Sequence, residues 1–204
     1  MGRKSDSRLR LMDAAHELIW SHSYGAVTIE AICKHAGVRK GSFYYFFDSK
    51  SDLAIAAIRT WWDERTPLVQ FIFRPEAPPL ERIEKYIDMA VGHLMQEYEK
   101  NGRVLGCPFF VLGSEICSQD EKLRLLVQDI LDGISGNFEK AIKDAYVAGE
   151  IEGTNPELTA RLLWAFYEGT LTRARIENNP KLIRGLSADA LELIGARPRL
   201  AQVA

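Results

Sequence analysis

Thr28-Ile29-Glu30-Ala31-Ile32-Cys33-Lys34-His35-Ala36-Gly37-Val38-Arg39-Lys40-Gly41-Ser42-Phe43-Tyr44-Tyr45-Phe46-Phe47-Asp48-Ser49-Lys50-Ser51-Asp52-Leu53 is the most informative stretch of this chain. Ile29, Ile32 and Ala36 recur three and four apart, so the stretch opens as a short helix with one apolar face. Thr28 precedes it as an N-cap able to accept an orphan amide, although Ala31 stands where a glutamate would complete a reciprocal box. Gly37 can adopt a positive φ without steric cost, which ends that helix and turns the chain, leaving Val38 to plug the angle. Arg39 to Phe47 then reads as a second helix, too short to be stable without neighbours, with Phe43 and Phe47 facing inward. Asp48 or Ser49 can cap a third. Two short helices about a glycine turn, the second basic and aromatic, are how a helix-turn-helix presents a reader to the DNA major groove.

Arg39, Lys40, Ser42, Tyr44 and Tyr45 remain on the outer side of the second helix. Cations neutralise phosphates, and arginine, lysine and serine also hydrogen-bond base edges. Lys50, in the first turn of the third helix, opposes the helix dipole, and a phosphate would account for it. Taken singly, these residues fit an ordinary solvated face equally well; the combination at this spacing is what points to DNA.

The segment resembles the signature of the TetR family of bacterial transcription regulators: Gly37-Val38, a basic residue, Gly41-Ser42, paired aromatics, Phe47 and Ser49-Lys50 followed by Leu53. The resemblance implies that Arg39, Lys40, Ser42 and Tyr45 face bases and that Thr28, Tyr44 and Lys50 hold phosphates. Phe46 departs from the family's usual tyrosine or histidine and cannot bond a phosphate, so it is expected to pack instead. The specific likeness covers residues 8–55; beyond them it is architectural.

Composition permits this reading. The chain has 204 residues, 47% hydrophobic and 26% charged, with a net charge of −2. Residues 1–62 carry a net +3 and the remainder −5, so any DNA affinity is localised to one end. Arg3 and Lys4 are expected to form a flexible arm toward the minor groove or phosphates. The start has no apolar core for a signal peptide, and no segment approaches the roughly 20 apolar residues of a membrane span, so a cytoplasmic protein is expected. Cys33, Cys107 and Cys117 make no metal-type spacing with the histidines, and neither metal nor cofactor is expected.

The pattern predicts an all-α chain of about nine helices, with a DNA-binding head at residues 1–50 and an effector-binding and dimerisation body at 51–204. Helix one should span about 5–22, with Leu11, Ala15 and Leu18 aligned. The third head helix should run over 49–66, joining head to body and stopping at Pro67. Arg74 to Pro79 is the strongest break. After it come an amphipathic helix over 80–100, a very apolar one over 105–117, and a long one over 120–148. A further helix is announced by Thr154 with Glu157, or by Asn155 before Pro156, and ends near Asn178-Asn179-Pro180. Ser187 should open a last helix that stops at Arg197-Pro198.

Leu158, Leu162, Leu163, Phe166 and Tyr167 spread over more than one helical face, so that helix needs two partners. By resemblance the second partner is another subunit, giving a homodimer through the C-terminal helices; internal core is the alternative. A twofold dimer would read a palindromic operator. Polar residues on otherwise apolar faces, namely Tyr86, His93, Cys107, Glu115, Tyr167 and Thr170, together with Phe110, are candidates for a small-molecule effector pocket, each with an ordinary core or surface role as alternative. Cys107, between Gly106 and Pro108 at a helix start, is either a sensing thiol or an inert half-buried one. The function implied is a ligand-responsive DNA-binding transcription regulator, a repressor released by its effector. The competing classes are an effector-binding scaffold that does not read DNA and a cysteine-dependent enzyme, for which no catalytic motif is present.

Overall fold

The structure is a computed structural model that describes residues 2–116, 118–152 and 155–196, with side chains from residue 6 onward. Among the described residues it is all-α: nine helices, one short 3-10 turn and no strand. The chain divides into two compact units, 1–67 with 108–131, and 68–107 with 132–204.

The first unit holds α1 (Gly2–Ser21), α2 (Ile29–His35), α3 (Lys40–Phe46), most of α4 (Lys50–Ile72), α6 (Pro108–Ile116) and the start of α7 (Glu121–Val147). Leu11, Met12, Ala15 and Ile19 of α1 are buried, as are Ile32 of α2, Phe43 of α3 and Leu53 and Ala54 of α4. An aromatic cluster closes the unit, with Trp61 4.8 Å from the His16 ring and both Trp61 and Trp62 edge-on to Phe109 at 5.5 and 5.4 Å.

Two expectations for this unit are corrected. The backbone of Arg3 and Lys4 belongs to the first turn of α1, not to an extended arm; their side chains lie outside the described set. Pro67 does not stop α4, which continues to Ile72. Proline costs the bond its N–H would have given to the carbonyl four residues back. Thr66 Oγ1 donates to the Trp62 carbonyl at 3.0 Å and Arg65 to the Trp61 carbonyl at 3.1 Å, although neither bond reaches the Asp63 carbonyl that Pro67 leaves without its N–H partner.

The second unit holds α5 (Pro79–Asn101), the remainder of α7, α8 (Pro156–Glu177), a 3-10 turn (Pro180–Ile183) and α9 (Leu186–Leu193). Phe138 of α7 is fully buried among the rings of Phe73, Tyr86, Trp164 and Tyr167, at 5.7, 5.3, 5.4 and 6.2 Å. The proline-rich break is itself folded: the buried Arg82 guanidinium donates to the Pro75 and Ala77 carbonyls at 2.6 and 2.8 Å and to Asp144 at 2.5 Å. α8 opens on Asn155, whose side chain accepts the Leu158 N–H at 3.0 Å, and closes on Asn178 in the left-handed region. Thr154, Cys117 and the Arg197-Pro198 stop fall outside the described residues. α9 starts one residue before Ser187, on Gly185, and Ser187 is buried within it.

Candidate functional site

The turn between α2 and α3 is built as its residue types require. Thr28 Oγ1 accepts the Ala31 N–H at 3.1 Å. Gly37 sits at φ +62°, where any side chain would be strained, and the Val38 N–H returns to the Cys33 carbonyl at 2.9 Å. Arg10 Nη1 of α1 donates to the Ala36 carbonyl at 3.2 Å, fastening the end of α2.

α3 seats Phe43 and Phe47 in the core and turns Arg39, Lys40, Tyr44 and Tyr45 outward; Ser42 is half-buried beside them. Tyr44 and Tyr45 are 52% and 65% exposed, far beyond what a packing role needs. Phe46 lies edge-on to Tyr45 at 4.9 Å, the packing role expected of it. Lys40 is ion-paired with Glu30 of α2, and this hydrogen bond holds the Glu30 carboxyl below its usual range and the Lys40 ammonium above its own. Both side chains are exposed, so the bond is exchangeable for a phosphate or base.

Lys50 has an internal reason for its place beside the phosphate expected from its sequence position. Its ammonium donates to the carbonyls of Tyr24 and Val27 at 2.8 and 3.0 Å and sits 4.2 Å over the Tyr24 ring. Burial lowers its pKa, with Glu115 acting in the opposite sense. Glu115 of α6, weighed from sequence as a pocket or solvated residue, instead completes the clamp. Its carboxylate accepts the Tyr24 and Gly25 N–H groups at 2.8 and 2.6 Å. A Cβ on Gly25 would come within 3.0 Å of that carboxylate, which is why glycine suits the turn. The α1–α2 turn is thus held on both polarities of its backbone, carbonyls by an ammonium and amides by a carboxylate. Ser49 rather than Asp48 caps α4, accepting the Asp52 N–H at 3.1 Å and donating to the Asp52 carboxylate at 2.7 Å.

In the second unit, the structure brings together Tyr86, Cys107 and Tyr167. The two tyrosine rings lie 6.3 Å apart, and burial pushes both hydroxyls well above their ordinary pKa. Thr170 spends its hydroxyl on the Phe166 carbonyl at 2.8 Å, and His93 lies on α5 seven residues beyond Tyr86. Phe110 belongs to the first unit and is exposed. The sequence reading missed Glu168. It is 2% exposed, and among the described residues its carboxyl meets only the weak donor of the Cys107 thiol. Burial raises its pKa to about 7, while the nearby Cys107 thiol draws it back. The signal was present: Trp164, Glu168 and Leu171 are spaced four and three apart, placing a carboxylate in an apolar helical stripe.

Two family models cover most of the chain: "Bacterial regulatory proteins, tetR family" over residues 11–57 and "Tetracyclin repressor-like, C-terminal domain" over residues 79–188. The chain belongs to the TetR family. It is a DNA-binding transcription regulator, in a family whose members are ligand-responsive repressors. Transcriptional regulator AcuR of Cereibacter sphaeroides is 27% identical over 172 residues, 83% of this chain and 77% of that protein. The crystal structure of a TetR-family regulator from Agrobacterium tumefaciens superposes with a TM-score of 0.84 at 21% identity, covering 95% of this chain and 100% of that one. The regulator FadR of Bacillus subtilis, solved in complex with stearoyl-CoA, superposes at 0.72 with 22% identity, covering 91% and 96%. These two structures establish a shared fold. Among the described residues, no helix of this TetR-family chain is long and apolar enough to cross a membrane.

Proposed function

We propose that this chain is a cytoplasmic repressor that binds a palindromic operator as a homodimer and leaves it when a small molecule enters the body. The observation that carries the reading is the outward face of α3, with two exposed tyrosines and a basic pair on a rigid glycine turn. In this reading residues 1–50 bind DNA, 51–204 hold effector and partner subunit, and α4 joins them. Arg39, Lys40, Ser42 and Tyr45 address base edges, Lys40 exchanging Glu30 for DNA. Tyr44 and Thr28 hold phosphates; the Thr28 oxygen is already accepting, which leaves its O–H to donate. Arg3 and Lys4 add phosphate contacts from the start of α1. Lys50 supports the reader by steadying the turn, and any phosphate contact of its own is secondary to that.

For the dimer, the support is the unpartnered side of α8. Leu162 and Ile176 are 57% and 79% exposed, and Ala165 and Gly169 on the same side are exposed and small enough for close helix approach. On α7, Tyr146 and Val147 are exposed as well. For the effector, Tyr86, Cys107, Tyr167 and Glu168 offer a buried aromatic environment with a few polar groups, the composition that small-molecule sites use; His93 and Thr170 flank it, and Phe110 has no part in it. No catalytic role is assigned to any residue.

Selection of bound duplexes from a random library at near-physiological salt tests the reading. A palindrome with half-sites about one helical turn apart is the expected result. Recovery of nothing above background, from protein shown to be folded and dimeric, overturns DNA reading in favour of a scaffold. Sedimentation of Leu162→Glu and Ile176→Glu checks the interface: both should be monomeric, and dimers would move the interface elsewhere.

A further inference from the structure

Glu168 is a buried carboxyl whose match among the described residues is a weak one, the Cys107 thiol, with no stronger donor to either oxygen. Native proteins rarely leave such a group so poorly matched, and one that is calls for a reason. No ion pair to it is present among the described residues. The ionisable groups that share its surroundings are Tyr86, Tyr167 and Cys107, each of which can only become negative. Two cationic groups lie on the elements that build this region. Arg175, seven residues along α8, donates to the Leu105 carbonyl. His93 lies seven residues along α5 from Tyr86.

The surroundings are otherwise aromatic. Tyr86, Phe138, Trp164 and Tyr167 form a continuous set of ring contacts between 5.3 and 6.3 Å. Trp164 precedes Glu168 by one helical turn and Tyr167 is its neighbour, so α8 delivers rings and carboxyl to one place. Aromatic faces attract cations through their quadrupole, most strongly where water is excluded. A carboxylate in that setting lacks only a positive charge.

We propose that the effector is a hydrophobic organic cation whose charged nitrogen pairs with Glu168 among the rings of Tyr86, Phe138, Trp164 and Tyr167. This rests on the reading of the body as the effector-binding part and adds the chemical class of the ligand. An anionic ligand would be repelled by the Glu168 carboxylate, and a neutral one brings no charge to offset the cost of ionising it there. The cation removes that cost, and pairing with it requires the carboxyl to lose its proton.

That requirement makes the test sharp. Benzyltrimethylammonium and its neutral carbon isostere neopentylbenzene are titrated by calorimetry into the full-length dimer at pH 6 and pH 8. Wild type and Glu168→Gln are compared, with operator binding followed in parallel. A carboxyl titrating near 7 is about one-tenth ionised at pH 6 and about nine-tenths at pH 8. The cation should therefore bind roughly ten-fold more tightly at pH 8, and at least ten-fold more tightly than the isostere. Glu168→Gln should abolish both differences, and a thermal melt should show it folded. Equal binding of the two probes, unchanged cation binding by Glu168→Gln, or no binding of either by protein that still holds its operator, overturns the proposal. Cation binding with all these features but no loss of operator affinity leaves the Glu168 site standing and removes its role as the effector site.

Discussion

On α3, Tyr44 and Tyr45 stand in solvent and Lys40 is matched with Glu30; inside the body, Glu168 is 2% exposed and has no match stronger than the Cys107 thiol. The reader face keeps its polar side chains solvated or paired. The clamp on the α1–α2 turn belongs to the same pattern, with Glu115 taking two amides and Lys50 two carbonyls. A reader must meet a rigid duplex in a fixed geometry, and satisfied hydrogen bonds are what hold a backbone in place. The body instead carries a weakly matched acid in an apolar setting. On the proposed function, the difference is between a surface prepared for DNA and an interior that a ligand would complete.

Glu168→Gln should give the largest effect on that contrast. Burial raises the folded carboxyl from its ordinary 4.5 to about 7, so between those values the folded state keeps a proton that the unfolded chain has lost. Stability linked to that proton is complete below the unfolded value and is lost as pH rises through the folded one. The loss amounts to about 3 kcal/mol above pH 7. The glutamine variant, which has no such loss, should exceed wild type by up to about 3 kcal/mol at pH 8 and by much less at pH 5. Urea unfolding at one protein concentration measures this, and a gap independent of pH would show that Glu168 is already satisfied.

On the reader side, Lys40→Ala and Tyr45→Ala should each weaken specific operator binding by roughly 2 kcal/mol, about thirty-fold. Lys40→Ala should also reduce the slope of log affinity against log salt by about one. Wild-type affinity in both variants would put the reader face elsewhere on the head. Glu115→Ala should cost on the order of 1–2 kcal/mol, because two amides lose a charged acceptor. Hydrogen exchange at Tyr24 and Gly25 reports it locally: both amides should exchange faster, and unchanged protection would mean the clamp is not what steadies the turn. Gly37→Ala should cost about 1 kcal/mol through its left-handed backbone alone, since the nearest atom to an added Cβ, on Arg10, is 3.5 Å away. A larger loss in the melting experiment would reveal a packing conflict as well.

The reader was legible because it is local. Thr28 caps its own helix three residues on, Gly37 turns the chain where it stands, and Phe43 and Phe47 share a face through helical spacing alone. Helix starts and stops were legible for the same reason, down to Asn155 before Pro156 and Asn178 in the left-handed region. Pro67 misled because its local cost is real, yet the helix runs on to Ile72, with Val69 and Ile72 buried beyond the proline. The effector candidates were read as polar residues on apolar faces. That rule picked out Tyr86, Cys107 and Tyr167, which the structure brings together, but passed over Glu168 beside them, which resembled one more solvated glutamate on a long helix.

Sequence by itself determined the helical class, the reader helix and its turn, the caps, and the assignment to the TetR family. These depend on residues within a few positions of one another, where chain geometry leaves little choice. Tertiary structure alone decided that Lys50 and Glu115 hold opposite sides of one turn and that Lys40 pairs with Glu30. It also decided that Arg82 folds the proline-rich loop and that Glu168 is sealed away from water. The physical reason is that burial and pairing are properties of a place, and a long side chain's place is fixed by which distant elements close over it. Glu115 meets Tyr24 and Gly25 across 91 and 90 residues of chain, a separation at which no periodicity in the sequence carries the information.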